Sequence, residues 1–223
     1  MARRAIEVGL RFAGDAAALW RTCGPAVAAR WVGSVAAHLP ACLRTGSLSA
    51  ADDAMGEGPF TARLGGARAR LVGPGVIGGI REIWARDSYL GEGFLRISNA
   101  DVVVDLGANV GHFSTLALAH GPQVRVVAVE ANPEFRDPFE GNLEVNGWQG
   151  RADLLNVFIG GTTATQRTMR LRPEVSAIPM WSQEDFIRRV ETYKPYRWFG
   201  KPEPSTLQRA DRTCSVARCA TRS

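Results

Sequence analysis

Hydrophobic and polar positions along the first 90 residues of this chain predict helices followed by short strands. In residues 5–45, alanine, leucine and tryptophan recur loosely at helical spacing between arginines, which predicts one or two amphipathic helices. Residues 46–79 are rich in glycine, alanine and serine, so this segment disfavours long helices and allows short strands such as Ala69–Val72. The pattern of Ile80–Leu90 places its isoleucines and Trp84 on one face and predicts a short helix.

From residue 102 onwards the pattern becomes regular. The β-branched run Val102–Val104 is typical of a strand that is buried on both faces of a parallel sheet. The elements predicted in order are a strand at Val102–Val104, a helix over His112–His120, a strand at Val124–Val129, a helix from Asn132 to about Asn146 and a strand at Leu154–Ile159. Strands and helices that alternate at such short intervals pair in parallel through right-handed crossovers. The predicted core is therefore α/β and Rossmann-like.

The turn after the first of these strands carries the candidate chemistry. It reads D-x-G-x-N-x-G, with Asp105, Gly107, Asn109 and Gly111 as its defining residues. Glycines let a ligand approach the backbone closely, and the start of the following helix favours polar ligand groups. Glu130 closes the next strand, where a carboxylate can accept both hydroxyl protons of an adenosyl ribose. The two signals together predict a nucleoside site.

The details of the turn favour one nucleoside over another. A dinucleotide fingerprint requires G-x-G-x-x-G, but Asn109 and His112 stand at the second and third glycine positions, so pyrophosphate fits poorly. S-adenosylmethionine carries no phosphate, and its cationic amino and sulfonium groups suit an acid at the strand end, which Asp105 supplies. We therefore expect S-adenosylmethionine, a methyl donor, rather than a dinucleotide. Asn132 and Pro133 are typical of the N-cap and first residue of the next helix.

These segments resemble the FkbM-type methyltransferases of class I. The resemblance rests on V-V-D-L-G-A-N-V-G-H-F-S, V-A-V-E-A-N-P-E and N-L-E-V-N-G, together with the upstream I-R-E-I-W-A-R-D-S-Y-L, and covers about Ile80–Gly161. It implies S-adenosylmethionine as the cofactor and O-methylation of a hydroxyl on a sugar or natural product, so that the acceptor is a small molecule or glycan. It implies no metal.

The resemblance also implies roles for individual residues. Asp105, Gly107, Asn109 and Gly111 would line the methionine end of the cofactor, Glu130 would hold the ribose, and Asn132 would approach the adenine edge. Glu82 and Tyr89 would contact the cofactor, although a surface carboxylate and a packing aromatic are equally good interpretations. We interpret His112 as structural rather than as a base, and the sequence identifies no catalytic residue.

The C-terminal part departs from the family pattern. The resemblance implies a seven-stranded sheet, and its remaining strands need on the order of 100 residues after Ile159, whereas 223 − 159 = 64 remain. No acidic D-x-E-G-like segment follows, although Thr168–Arg172 is a candidate strand and Ser182–Thr192 a candidate capped helix. We therefore expect an N-terminal extension of helices and short strands at residues 1–79, an incomplete methyltransferase core at 80–200 and an irregular tail at 201–223.

Three readings of function follow from this departure. The first is an active methyltransferase, the second a truncated or frameshifted remnant that binds a nucleoside without catalysis, and the third, which Asn109 and His112 disfavour, an NAD-dependent oxidoreductase. A natural short variant that completes its sheet with another chain is the alternative to truncation. The oligomeric state stays open.

Composition and charge limit the kinds of binding partner that we expect. The net charge of +5 comes from 27 basic and 22 acidic residues spread through the chain, without an aromatic-interleaved stripe, so we expect no nucleic acid partner. Four widely spaced cysteines without a C-x-x-C motif are typical of a reduced, cytoplasmic chain. Arg21, Arg30 and two prolines interrupt the apolar stretch of residues 16–43, so we expect no membrane partner.

Overall fold

The structure is a computed structural model that describes residues 2–93, 95–159, 166–170 and 211–217. Side chains are described for residues 12–91, 93 and 95–157. The candidate helix Ser182–Thr192 therefore lies outside the described residues.

Four helices form the beginning of the chain. They are α1 (Ala2–Cys23), α2 (Pro25–Ala37), α3 (Leu39–Thr45) and α4 (Ser49–Asp53). The sequence predicts one or two helices up to residue 45, whereas the structure has three. The first break lies at Gly24, where φ is +91°, and Pro25 then begins α2 at the position where a missing backbone N–H costs least. A second proline, Pro40, stands in the first turn of α3.

A hairpin and a helical segment connect this part to the sheet. Strands β1 (Phe60–Leu64) and β2 (Ala67–Leu71) pair antiparallel, and β2 corresponds to the predicted strand at Ala69–Val72. Helix α5 (Val76–Gly79) continues directly into a π-helix at Ile80–Ala85. The predicted helix at Ile80–Leu90 thus begins four residues earlier and changes its hydrogen-bond pattern where it enters the core.

One hydrophobic cluster joins the N-terminal helices to the core of the chain. Trp31 of α2, Leu71 of β2 and Trp84 of the π-helix are fully buried in it, together with Leu116, which belongs to the helix that follows the glycine turn. Burial of such large side chains is the main stabilising contribution in a domain of this size. The N-terminal segment is therefore packed as part of the same core.

A buried ion-pair cluster lies within this region. Arg81 of the π-helix donates to both Asp52 oxygens at 2.9 and 2.5 Å and to Asp15 at 2.5 Å. Arg86 adds two further hydrogen bonds to Asp15, and Trp31 Nε1 donates to Asp52 at 2.8 Å. Because every buried charge has hydrogen-bonded partners, the desolvation of these groups is compensated. The cluster fixes α1, α4 and the π-helix relative to one another.

The central sheet is parallel and has the order β3-β4-β5. The elements here are β3 (Val102–Leu106), α6 (His112–Ala119), β4 (Arg125–Val129), a 3-10 turn (Pro133–Phe135), α7 (Arg136–Glu144) and β5 (Ala152–Leu155). Val126 and Ala128 of β4 pack with Leu118, Phe139 and Leu143 of the two helices. The predicted α/β core is thus present as a three-stranded parallel sheet with helices, which is compatible with a Rossmann-like fold.

The opposite face of β3 differs from the prediction. Val102, Val104 and Leu106 are 66%, 59% and 64% exposed, so the expectation that this strand is buried on both faces is wrong for one face. The described helices α6 and α7 pack against the other face, which carries Val103 and the β4 side chains. A continuous β-branched run predicts a strand but does not say which faces are covered.

The last described strands form a small mixed sheet. Strands β6 (Val157–Ile159) and β7 (Gln166–Arg170) lie on either side of β8 (Asp211–Ala217). Asn156 separates β5 from β6 within the strand predicted at Leu154–Ile159, and β7 overlaps the candidate strand at Thr168–Arg172. β8 lies within the segment 201–223 that was expected to be irregular, so that expectation is wrong for residues 211–217. The pairing is with distant segments, which local hydrophobic periodicity does not indicate.

None of the described helices is by itself long and apolar enough to cross a membrane. Helices α2 and α3 reach that length and apolarity only as a pair, which is bent by 74°.

Candidate cofactor site

The glycine turn lies where the carboxyl ends of β3 and β4 meet. The backbone N–H groups of Gly107 and Ala108 both donate to Val129 O, at 2.8 and 3.0 Å. This edge of an open parallel sheet is where ligands of α/β proteins bind. The predicted turn and the end of β4 are therefore adjacent. The prediction of one common site depends on this adjacency.

All five N–H groups of the turn have acceptors within the protein. Beyond the two bonds to Val129, Asn109 N donates to a Glu130 oxygen at 2.9 Å, Val110 N to Asn109 Oδ1 at 2.7 Å and Gly111 N to Ala108 O at 2.8 Å. A phosphate-binding loop presents its N–H groups to the ligand instead. The backbone N–H groups of this turn are consequently not available to bind an anion.

The two glycines of the turn have different structural roles. Gly107 is exposed with φ of +82°, and an added Cβ would meet nothing within 4 Å, so the space above it is open. Gly111 is buried with φ of +87°, and a Cβ there would lie 2.7 Å from the Phe139 ring. Gly107 therefore faces the open side of the turn, whereas Gly111 allows α7 to pack beneath it.

Glu130 is held in place by backbone donors on both of its oxygens. Its Oε2 accepts from Asn109 N at 2.9 Å and its Oε1 from Asn132 N at 2.7 Å. The side chain is buried, and burial raises its pKa, although the hydrogen bonds from Asn132 and Asn109 act in the opposite direction. The backbone of Ala131 also contributes a hydrogen bond that lowers the pKa of this carboxylate. The two oxygens together offer about four lone pairs, so the group retains capacity for a further hydrogen bond.

Asp105 supplies the second carboxylate of the site. Its Oδ2 accepts from the Ser114 hydroxyl of α6 at 2.6 Å, and burial raises its pKa. Tyr89 packs against Phe113 with ring centroids 4.6 Å apart and an interplanar angle of 39°, and the pKa of its phenol is raised by burial and by the negative charges of Glu82 and Asp105. Glu82 and Asp105 are therefore close enough to Tyr89 for their charges to act on its phenol, whereas contact of Glu82 and Tyr89 with a cofactor stays a prediction.

Asn132 is the N-cap of the 3-10 turn that leads into α7. Its Oδ1 accepts from Glu134 N at 3.1 Å, which confirms the predicted cap, and its side chain is buried. The side-chain oxygen is therefore committed to the helix start. Nothing in the structure tests the expected approach of Asn132 to an adenine.

Asn156 is a site residue that the sequence did not reveal. Its Nδ2 donates to Glu130 O at 3.2 Å, and its Oδ1 is buried without a hydrogen-bond partner in the described part of the chain. Buried acceptors without a partner are rare in native structures. The signal available in the sequence was a lone asparagine inside an otherwise apolar strand.

Asn142 of α7 and Asn146, just beyond its end, were also missed, and both hold the hairpin against this part of the core. Asn142 donates to Val110 O at 2.9 Å and exchanges hydrogen bonds with the backbone of Val72. Asn146, one turn later, does the same with Arg70. They tie the turn and the hairpin to α7.

His112 is a packed side chain rather than a base at the site. An added Cβ on Gly79 would lie 2.3 Å from its ring, so the two elements are in close contact. Burial lowers its pKa to about 4, and its Nε2 has no partner among the described residues. The imidazole is therefore neutral at pH 7, which agrees with the structural interpretation of this residue.

A cavity of about 530 Å³ lies elsewhere on the same sheet. It is bounded by α7, β4 and β5, and its lining residues include Val127, Arg136, Phe139, Glu140 and Asp153. None of the six predicted cofactor-binding residues belongs to it. The cavity therefore does not mark the site that the turn and Glu130 define.

Comparison with known proteins adds little at this level of similarity. No protein-family model matches the sequence, and no curated protein matches it. Among solved structures, the chain is similar to a Pyrococcus horikoshii protein named "putative transferase PH0793", with a TM-score of 0.30 and 18% identity. The similarity covers 44% of this chain and 35% of that one, so the chain spans about a third of its length. We draw no functional conclusion from it.

Proposed function

We propose that this chain binds S-adenosylmethionine and is a methyltransferase that acts on a hydroxyl of a sugar or other small natural product. The observation that carries the proposal is the geometry of Glu130. Both oxygens of its carboxylate are held by backbone N–H groups at the edge of the sheet, and the group retains acceptor capacity for a ribose hydroxyl. A ribose hydroxyl is a ligand group that such a fixed acceptor matches.

The internal hydrogen bonds of the turn favour S-adenosylmethionine over a dinucleotide as the ligand. The N–H groups from Gly107 to Gly111 are already bonded within the protein, so a pyrophosphate would find no free backbone donors there. Asp105 places a carboxylate at the end of β3, where it attracts a cationic amino group and would repel a phosphate. The charge of the site therefore suits a ligand with cationic groups and without phosphates.

The residues of this chain bind and orient rather than react. Glu130 fixes the ribose, Asp105 holds the amino group, and Gly107 leaves the space that the methionine end requires. When bound, S-adenosylmethionine would supply an electrophilic methyl group for transfer to the acceptor hydroxyl. Correct positioning accounts for most of the rate enhancement in such a step.

The first experiment compares two ligands on the whole chain. We expect S-adenosylhomocysteine at 100 times its Kd to stabilise the protein against unfolding by about 2.7 kcal/mol, and NAD at the same concentration to have no effect. Stabilisation by NAD alone would contradict the proposal and favour an oxidoreductase. A second assay measures transfer of labelled methyl groups to a panel of sugars. Binding without transfer to any acceptor would favour a nucleoside-binding protein that is not an enzyme.

A further inference from the structure

The outer face of α2 and α3 is apolar and exposed. We define this surface by the exposed residues Val32 of α2, Leu39, Pro40 and Leu43 of α3, and Trp20 near the end of α1. Trp20 is 59% exposed, and the two leucines are 43% and 38% exposed. Isolated exposed apolar residues are ordinary on a protein surface, but a succession of them along neighbouring helices marks an interaction site.

The rest of this face is small or uncharged. Its other exposed residues on α2 include Pro25, Ala26, Ala29, Gly33, Ala36 and Ala37. Polar side chains normally cover the solvent side of a helix in a globular protein. Their absence from most of α2 means that this helix is apolar on its outer side as well as on its core side.

The charged side chains on α2, α3 and the end of α1 have one sign. Residues 16–51 contain no aspartate or glutamate, and their charged side chains are Arg21, Arg30 and Arg44. Arg30 is held by Met55 O and lies over the Phe60 ring. Arg21 and Arg44 are exposed and form no ion pair with any side chain that the structure describes. An apolar surface flanked by free arginines is complementary to a surface that is apolar inside and anionic outside.

The inner face of the same helices excludes a membrane-spanning role. Trp31 and Cys42 have no exposed surface, and Ala28 and Val35 are almost completely buried in the core. The helices could not cross a bilayer without removing these side chains from the core. Contact with a membrane is therefore restricted to the outer face.

We propose that the outer face of α2 and α3 docks onto an anionic lipid bilayer surface. Leu39, Leu43 and Trp20 enter the interface between headgroups and acyl chains, and Arg21 and Arg44 contact the anionic headgroups. The proposal reverses the sequence-based expectation that no membrane is involved. It does not depend on the cofactor, and it would place a membrane-embedded or membrane-bound acceptor within reach of the protein.

The test is co-sedimentation of the full chain with vesicles. Phosphatidylcholine vesicles that contain phosphatidylglycerol are compared with pure phosphatidylcholine vesicles. We expect binding to the anionic vesicles that falls when the salt concentration is raised, since the Debye length then shortens. The double variant R21Q/R44Q should bind about thirtyfold more weakly, at about fivefold for each arginine.

A second pair of variants separates the apolar surface from net charge. L39E/L43E and R68Q/R70Q each lower the net charge by two. R68Q/R70Q is the control for net charge, because Arg68 and Arg70 lie on the exposed side of β2 and not on α2 or α3. We expect L39E/L43E to lose binding by at least tenfold and R68Q/R70Q to keep it within about twofold. Thermal unfolding checks that both variants are folded.

Three results would overturn the proposal. They are equal loss of binding in both charge-matched variants, undiminished binding to pure phosphatidylcholine, and a concentration-dependent dimer that L39E/L43E abolishes while vesicle binding is absent. The last result would assign the surface to a second copy of the chain.

Discussion

The burial of His112 predicts a specific dependence of stability on pH. Its pKa falls from 6.5 to about 4 in the folded protein, because the ring is desolvated against Gly79. In the unfolded chain the imidazole accepts a proton near pH 6.5, whereas the folded protein keeps it neutral. The unfolded state therefore binds more protons below pH 6.5, and this contribution to stability is complete above pH 6.5 and is lost as the pH falls towards 4.

The magnitude follows from the size of the pKa shift. Each pKa unit corresponds to about 1.4 kcal/mol, so the largest possible loss is about 3 kcal/mol, and about 2 kcal/mol should be lost between pH 7.5 and pH 5. Asp105 and Glu130, whose pKa values are raised by burial, act in the opposite direction. The total pH dependence of the protein therefore does not isolate the histidine.

A comparison with His112→Gln isolates it. Urea unfolding of both proteins at pH 7.5 and pH 5, followed by tryptophan fluorescence, gives the free energy of unfolding in each state. The difference between wild type and variant should shrink by about 2 kcal/mol at the lower pH, because only the wild type loses the contribution of the neutral imidazole. The same difference at both pH values would refute the reasoning, as would a titration of the His112 ring by NMR near pH 6.5.

Two further substitutions test the packing that supports the site. Gly111→Ala should destabilise the chain by about 2 kcal/mol or more in urea unfolding, because φ is +87° and the Cβ has no space. Gly147→Ala, also left-handed with φ of +68° but uncrowded, should cost about 1 kcal/mol, and equal costs would contradict the packing argument. Asp52→Asn should cost about 3–5 kcal/mol, since it leaves Arg81 without one of its buried partners. Glu140→Gln, in an exposed pair, should change the free energy of unfolding by at most about 0.5 kcal/mol, and a comparable loss in both would argue against the buried cluster.

Local patterns were sufficient to predict the central sheet and its turn. Strands β3 to β5 and helices α6 and α7 follow from β-branched runs and helical spacing within a few residues of their observed bounds. The cap at Asn132 was predictable because capping depends on one side chain and the next two backbone groups. The position of Asp105 and Glu130 at the same edge was predictable because a parallel sheet brings the carboxyl ends of neighbouring strands together.

Features that depend on distant contacts were not predictable in this way. Arg81 meets Asp15 and Asp52 from 66 and 29 residues away in sequence, and no local pattern relates these positions. Asn142 likewise reaches Val72 across 70 residues. Whether a face of β3 is exposed depends on which other segments of the chain cover it. The pairing of β8 with β6 and β7 likewise depends on which segments meet in the fold. Such choices depend on tertiary contacts rather than on the propensity of the strand itself.

The most direct test of the account is the contribution of Glu130 to cofactor binding. Calorimetric titration with S-adenosylhomocysteine compares the wild type with Glu130→Gln and with a control, Glu144→Gln. Glu144 is an exposed carboxyl at the end of α7, outside the site. The lost charge-assisted hydrogen bonds to the ribose should weaken binding by about 10- to 100-fold in Glu130→Gln, while Glu144→Gln binds like the wild type. Urea unfolding confirms that Glu130→Gln is folded at the temperature of the titration. Equal affinity in a folded Glu130→Gln variant would contradict the assignment of Glu130 as the ribose-binding carboxylate.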